Sequence, residues 1–223
     1  MNKKPNSGDC FRFFTRLHLT ELTGLRASNL SQLLGFIKEV PGSCIYHHTH
    51  KFLQQHQFYS PEPPNDFAYW VTGVLGEDEL GEKLASIDIV QYSTIRSLRD
   101  KIAGTIEDFL NNSDLAKLKF ARESEEFHFL KSVSFVLATK YEACNFKEFA
   151  DVLERIAVDS IYFHFFESRL RLEKGRNDFS NWIENSCQDK QLADAISRLD
   201  PYTHTLEGLR TTLVRMIRSR TNV

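Results

Sequence analysis

Two histidines, each three residues beyond an isoleucine, make the best case for chemistry in this chain. Ile45-Tyr46-His47-His48 is matched by Ile161-Tyr162-Phe163-His164, and each motif is followed by Asn-Asp-Phe with a tryptophan close behind: Asn65, Asp66, Phe67 and Trp70, then Asn177, Asp178, Phe179 and Trp182. On a helix His48 shares a face with Ile45 and Phe52, so its ring points inward, and His164 has the same relation to Ile161. An inward imidazole needs a hydrogen-bond partner, and Asp66 or Asp178 at the start of the next helix is the obvious one. A His–Asp pair can act as a general base or orient a ligand. The structural alternative is a satisfied core histidine, with Asn65 or Asp66 capping the next helix. Presence in both halves favours the structural side, because a single active site rarely needs two copies.

Other candidates surround this pair. Tyr46 and Tyr162 lie two residues from the histidines, on a different helix face, where they line either a pocket or the core. Arg99 and Arg210 recur amid apolar helices and suit a carboxylate partner such as Asp88 or Asp200, or an anionic ligand. His47 and His50 share a face and can chelate a metal, with His56 or Glu62 as third ligand. Copy two has Phe163 and Phe166 there, so a solvated polar face is the alternative and no metal is expected. The loop with Phe58, Tyr59 and Glu62, stiffened by Pro61, Pro63 and Pro64, is a candidate recognition loop. There is no glycine-rich phosphate loop, Gly-x-Ser-x-Gly elbow or His-Glu-x-x-His helix, and no cofactor is expected.

The elements that must carry these residues are written twice. Phe11 to Leu53 lies without a gap against Phe127 to Arg169: Phe11, Phe13, Ala27 and Asn29 reappear as Phe127, Phe129, Ala143 and Asn145. Internal repetition of this kind signals a duplicated unit and a pseudo-twofold molecule. Each copy opens with alternating apolar residues, Phe11, Phe13, Leu17 and Leu19, or Phe127, Phe129, Val133, Phe135 and Leu137, the period of a half-buried strand. A two-stranded ribbon is marginal alone, so the two strands are expected to pair and helices to cover their apolar face. Asn29 and Asn145 are N-caps for amphipathic helices carrying Leu30, Leu33, Leu34 and Ile37, or Phe146, Phe149, Ala150 and Leu153. The fold expected is α+β and predominantly helical, each copy being one β-strand plus about five helices, with the strands pairing at a pseudo-twofold. Residues 1–10 read as a disordered tail, 11–110 as repeat one, 111–126 as a connector and 127–223 as repeat two, the repeats sharing one core.

Composition narrows the class. The 223 residues are 41% hydrophobic and 26% charged, with a net charge of −2, ordinary for a soluble globular protein. The basic footprint of a nucleic-acid binder is absent. No apolar run approaches the roughly 18 residues of a membrane span, and the N-terminus lacks a signal-peptide core. Cys10, Cys44, Cys144 and Cys187 are widely spaced without a Cys-x-x-Cys pair, which reads as reduced thiols in the cytoplasm.

Four stretches carry a family resemblance: Ser-Cys-Ile-Tyr-His-His-Thr-His-Lys-Phe-Leu, Pro-Glu-Pro-Pro-Asn-Asp-Phe-Ala-Tyr-Trp-Val, Ser-Ile-Tyr-Phe-His-Phe-Phe-Glu-Ser-Arg-Leu-Arg-Leu and Leu-Asp-Pro-Tyr-Thr-His-Thr-Leu-Glu-Gly-Leu-Arg. From Phe11 onward the chain resembles a prokaryotic family of cytosolic proteins of unknown function. The resemblance implies a sugar-metabolism context and no assigned catalytic residue. The function expected is a non-catalytic binding or accessory module for an unknown small molecule or protein, without nucleic acid or membrane. The alternative is an enzyme using a helix-borne His–Asp pair for acid–base chemistry on a small polar substrate.

Overall fold

A computed structural model of the protein describes residues 10–55, 65–168, 176–199 and 205–221. The fold is α+β and mostly helical. β1 (Phe11–Ala27) and β2 (Phe127–Ala143) pair as an antiparallel two-stranded ribbon. Two side-chain bonds record the direction: the Thr23 hydroxyl donates to the Phe129 carbonyl at 2.6 Å, and the Thr139 hydroxyl to the Phe13 carbonyl at 2.7 Å. Late residues of each strand therefore lie beside early residues of the other.

Both strands run past the alternating segments that announce them, because their later residues face solvent and carry no period-two signal. The expectation that helices cover the whole apolar face needs correction. Phe11, Phe13, Phe127 and Phe129 are buried, but Leu17, Leu19, Phe135 and Leu137 are 51%, 51%, 48% and 49% exposed. Of these apolar side chains, only the phenylalanine pair that opens each strand is buried.

The chain divides into two compact units, and each strand is shared out between them. One unit takes residues 18–55 and 65–134 of those described. Its helices are α1 (Leu30–Glu39), α2 (Gly42–Gln55), α3 (Asp66–Gly73), α4 (Asp78–Ala85) and α5 (Ile95–Asn112). Asn29 caps α1 by accepting from the Gln32 amide at 2.9 Å, and Asn65 caps α3 by accepting from the Ala68 amide at 2.9 Å. Leu30, Leu33 and Ile37 of α1 and Leu98, Ile102 and Ile106 of α5 turn their apolar stripes inward. α3 and α4 approach so closely at Gly81 that a Cβ there would stand 1.8 Å from Thr72 Oγ1. Phe127 and Phe129 close this core, with ring centroids 5.2 Å from Phe67, 5.8 Å from Trp70 and 5.6 Å from Phe36. The segment after α5 is docked: Ala121 N–H donates to the Ser28 carbonyl at 2.7 Å, and the Trp70 indole to the Glu125 carbonyl at 2.7 Å.

The other unit takes residues 10–17 and the described residues from 135 on. Its helices are α6 (Phe146–Leu153), α7 (Val158–Tyr162), which runs on into a π-helical turn at Phe163–Glu167, α8 (Asp178–Asn185), α9 (Lys190–Ser197) and α10 (Leu206–Arg218). Asn145 and Asn177 cap α6 and α8 as Asn29 and Asn65 do α1 and α3. Phe11 and Phe13 close this core, lying 5.2 Å from Phe149, and Phe11 lies 5.5 Å from Phe179 and 5.9 Å from Trp182. The opening residues of each strand thus pack on helices that follow the other strand in sequence.

Cys10, counted with the N-terminal tail in the sequence reading, forms a disulfide with Cys144 across 134 residues of chain. This corrects the expectation of reduced thiols throughout: a ribbon that joins the start of one strand to the end of the other brings the pair together. Cys44 and Cys187 are free thiols. Among the described residues no helix is long and apolar enough to cross a membrane.

Candidate functional site

Each of the two units holds one of the inward histidines. α2 presents His48, whose Nδ1 lies 2.8 Å from Asp66 Oδ2. Asn65 takes the cap of α3, which leaves Asp66 in the first turn free to face the ring. The other ring nitrogen, Nε2, accepts the Leu130 backbone N–H of β2 at 2.9 Å. His164, in the π-helical turn, repeats the arrangement: Nδ1 lies 2.7 Å from Asp178 Oδ2, and Nε2 accepts the Phe14 backbone N–H of β1 at 2.8 Å. Both imidazoles are 3% exposed, against 55% for the Asp66 side chain and 19% for Asp178. Phenylalanine rings close around each, Phe127 at 4.7 Å from His48 and Phe11 at 4.9 Å from His164.

This geometry fixes the tautomer. An amide N–H only donates, so Nε2 must offer its lone pair and the ring proton sits on Nδ1, directed at the carboxylate. Each ring therefore links a helix-borne carboxylate to a strand amide. A general base needs a lone pair within reach of a substrate proton, and here that lone pair is committed to the strand. Removing the ring would leave a part-buried N–H without its partner, which costs about 1 kcal/mol or more.

The surroundings of the two rings differ. Beside His48, Tyr46 stacks on His50 with centroids 5.1 Å apart and planes 8° from parallel, and His18 stacks on the same tyrosine at 5.5 Å. His18 Nδ1 is 2.9 Å from Ser134 Oγ, His47 Nδ1 is 3.0 Å from Ser132 Oγ, and His50 Nδ1 is 2.8 Å from Thr49 Oγ1. His47 and His50, the metal candidates of the sequence reading, are thus engaged with Ser132 and Thr49. Among the described residues, the group that could hold a metal ion is Cys10, Glu142 and Cys144.

Beside His164 the neighbouring positions are phenylalanine: Phe163, Phe165 and Phe166 are buried, as is Tyr162, whose ring lies 5.3 Å from Phe166. Glu167 is 3% exposed and pairs with Arg16 of β1. The Ser160 hydroxyl donates to the Phe14 carbonyl at 2.5 Å, so the carbonyl and the N–H of Phe14 are both tied to this helix.

Arg99 and Arg210 serve helix ends, a role the sequence reading did not assign. Arg99 donates to the Val40 carbonyl at 2.5 Å, the C-cap of α1. Arg210 donates to the Leu153 and Ile156 carbonyls at 2.6 and 2.8 Å at the end of α6, while pairing with Glu207. Guanidinium forks satisfy the carbonyls that a helix end leaves without partners. The candidate recognition loop with Phe58, Tyr59 and Glu62 lies outside the described residues.

An open recess of the α1–α5 unit is a groove of about 820 Å³ along α4 and α5, lined by none of the histidine, tyrosine or arginine candidates above. Tyr92, Lys101, Asp108 and Asn112 border it, over Phe109. Lys83 lies 5.8 Å above the Phe109 ring and pairs with Glu79 at 2.6 Å. These residues are polar and isolated in sequence, so no motif announces them. Elsewhere, burial pushes the Cys187 thiol up to about 12, with Asp189 adding to the effect, and burial also raises Cys44 against the opposing charges of Lys131 and Arg99.

A model of a family of unknown function, DUF5752, matches residues 8–218. A solved structure, OrfY from Thermoproteus tenax, is similar over 99% of both chains at 29% identity, with a TM-score of 0.80. Among functionally curated proteins nothing matches.

Proposed function

We propose that this chain, which belongs to the DUF5752 family, is a non-catalytic binding module that holds a small neutral polyhydroxylated ligand in the groove along α4 and α5. The observation that carries the reading is the use of both nitrogens of His48 and His164 within the fold, which takes away the acid–base role of the best catalytic candidates. The groove supplies what a sugar needs: an aromatic residue, Tyr92, with carboxylate, amide and ammonium groups in its lining. Its charge selects against phosphorylated ligands, because Glu77, Glu79, Asp88 and Asp108 outnumber Lys83 and Lys101. A cytoplasmic setting in sugar metabolism, without nucleic acid or membrane as partner, belongs to the same reading.

The reading includes a tandem duplication, with repeats at residues 11–110 and 127–223 and a connector at 111–126. Its support is that corresponding residues make corresponding bonds: His48 and His164, Asn65 and Asn177, Thr23 and Thr139.

Thermal shift against free sugars, sugar phosphates and nucleotides tests the function. A free sugar at 100 times its Kd should add roughly 2.7 kcal/mol of stability. Tyr92→Ala and Asp108→Ala should abolish the shift, and His48→Gln should lower the baseline melting temperature while leaving the shift intact. A flat screen, a response to phosphorylated ligands alone, or a shift untouched by the groove variants would overturn the proposal.

A further inference from the structure

We propose that Cys10, Glu142 and Cys144 form a binding site for a thiophilic divalent cation, with zinc as its representative, available once the Cys10–Cys144 bridge is reduced. The ligand atoms of the three side chains lie within 4.8 Å of one another. Zinc takes sulfur at about 2.3 Å and carboxylate oxygen at about 2.0–2.2 Å, so tetrahedral ligands stand roughly 3.5–3.8 Å apart, inside that spread. Only the two sulfurs must separate from bonding distance. Cys10 precedes β1, so its side chain can be redirected outside the regular strand. Cys144 and Glu142 flank Ala143, the last residue of β2, whose period of two points both toward the same side.

The donor set decides the ion. Two thiolates and one carboxylate suit zinc or cadmium and disfavour magnesium and calcium, which prefer all-oxygen shells. Glu142 is available as third ligand, since it is exposed and Arg12 Nε, with which it pairs, stands at 4.0 Å. Water completes the shell. A bound divalent cation with two thiolates and a carboxylate carries one net negative charge, which Arg12 is placed to offset. In the sequence register that matches Phe11 with Phe127, Glu126 and Ser28 correspond to Cys10 and Cys144, so the other unit lacks the site.

The chemistry balances with an external dithiol as reductant. Two electrons and two protons pass to the bridge, the sulfur–sulfur bond breaks, and the dithiol closes to its own disulfide. The cation then displaces both thiol protons into solvent as two metal–sulfur bonds form. Burial raises the Cys44 and Cys187 thiols, which makes their protons harder for a cation to displace. In the cytoplasm, where disulfides are mostly transient or redox-sensing, the reduced, metal-binding form would be the resident one.

The test is a metal titration of the full chain before and after reduction, with the reductant removed. Reduced protein should take up one zinc or cadmium ion, cadmium giving a thiolate charge-transfer band in the ultraviolet, and oxidised protein should take up none. Cys144→Ser should abolish binding. Loss of an outer-shell partner alone weakens metal sites roughly 10–100-fold, so Glu142→Gln, which removes a direct ligand without touching the bridge, should weaken binding by at least about tenfold. Reduced wild-type protein that stays folded by circular dichroism yet binds no metal would overturn the proposal. Equal binding by the oxidised protein, by Cys144→Ser or by Glu142→Gln would also overturn it.

Discussion

The histidine of α2 and the histidine of the π-helical turn make the same pair of bonds in different company. His48 sits among His18, Tyr46, His47 and His50, with serine hydroxyls of β2 as partners; His164 sits among Phe163, Phe165 and Phe166, with the Arg16–Glu167 pair as its charged neighbour. What the two regions share is the link from a helix-borne carboxylate through an imidazole to a strand amide. What differs is the helix positions beside each ring, His47 and His50 in one region and Phe163 and Phe166 in the other. The shared part is what docks a strand on a helical layer, since it satisfies a strand N–H from the helix side. The differing part is free to vary because phenylalanine and histidine fill similar space, the latter only where a hydroxyl stands nearby to bond it.

The comparison can be broken most directly by removing a ring. His164→Ala should cost about 4 kcal/mol, the sum of a cavity and an unpaired Phe14 amide. His48→Ala should cost about 3 kcal/mol, less because Asp66 is far more exposed than Asp178 and can turn to water. Urea denaturation measures both, and hydrogen exchange should show the Phe14 or Leu130 amide losing protection in the matching variant alone. Equal, near-zero costs would mean that the rings pack without anchoring the strands.

Next in size is the disulfide, present on one side of the comparison only. Reduction, or Cys10→Ser with Cys144→Ser, should lower stability by about 2–4 kcal/mol through the freed loop of the denatured chain. Gly81→Val, which drives a side chain into Thr72, should cost about 1–3 kcal/mol. Its exchange signature should fall on α3 and α4.

The carboxylates sharpen the contrast further. Asp178→Asn should destabilise by about 2 kcal/mol and Asp66→Asn by about 1, because a charge-assisted bond is worth more where water is excluded. The smallest effect is chemical: after reduction, alkylation at neutral pH should label Cys10 and Cys144 well before Cys187, whose thiol is pushed up to about 12 by burial. Mass spectrometry over time reads the order, and early labelling of Cys187 would show that its burial is transient.

Much of this was legible before any coordinates. The caps at Asn29 and Asn145, the apolar stripes of α1 and α6, and the inward placement of His48 and His164 all follow from spacings of three or four residues, the reach of a helical turn, whereas the choice between Asn65 and Asp66 as the cap of α3 did not. Asp66 and Asp178 stand 18 and 14 residues from their histidines, near enough to be guessed as partners. Arg99 and Arg210 recur at matching positions, but no local rule gives the carbonyls they bind, 59 and 57 residues away.

What the chain order alone determined, then, is each residue's local environment: which face of which helix, which cap, which strand parity. What only the tertiary structure decided is the second partner of every important group. The Nε2 atoms of His48 and His164 meet amides 82 and 150 residues away, Cys10 meets Cys144, and the groove of Tyr92 and Asp108 is made by two helices closing side by side. Backbone periodicity records forces that act over one turn or one pleat. Which strand amide faces a given ring depends on where two separately formed surfaces stop sliding, and that is set by the packing of phenylalanines from distant parts of the sequence.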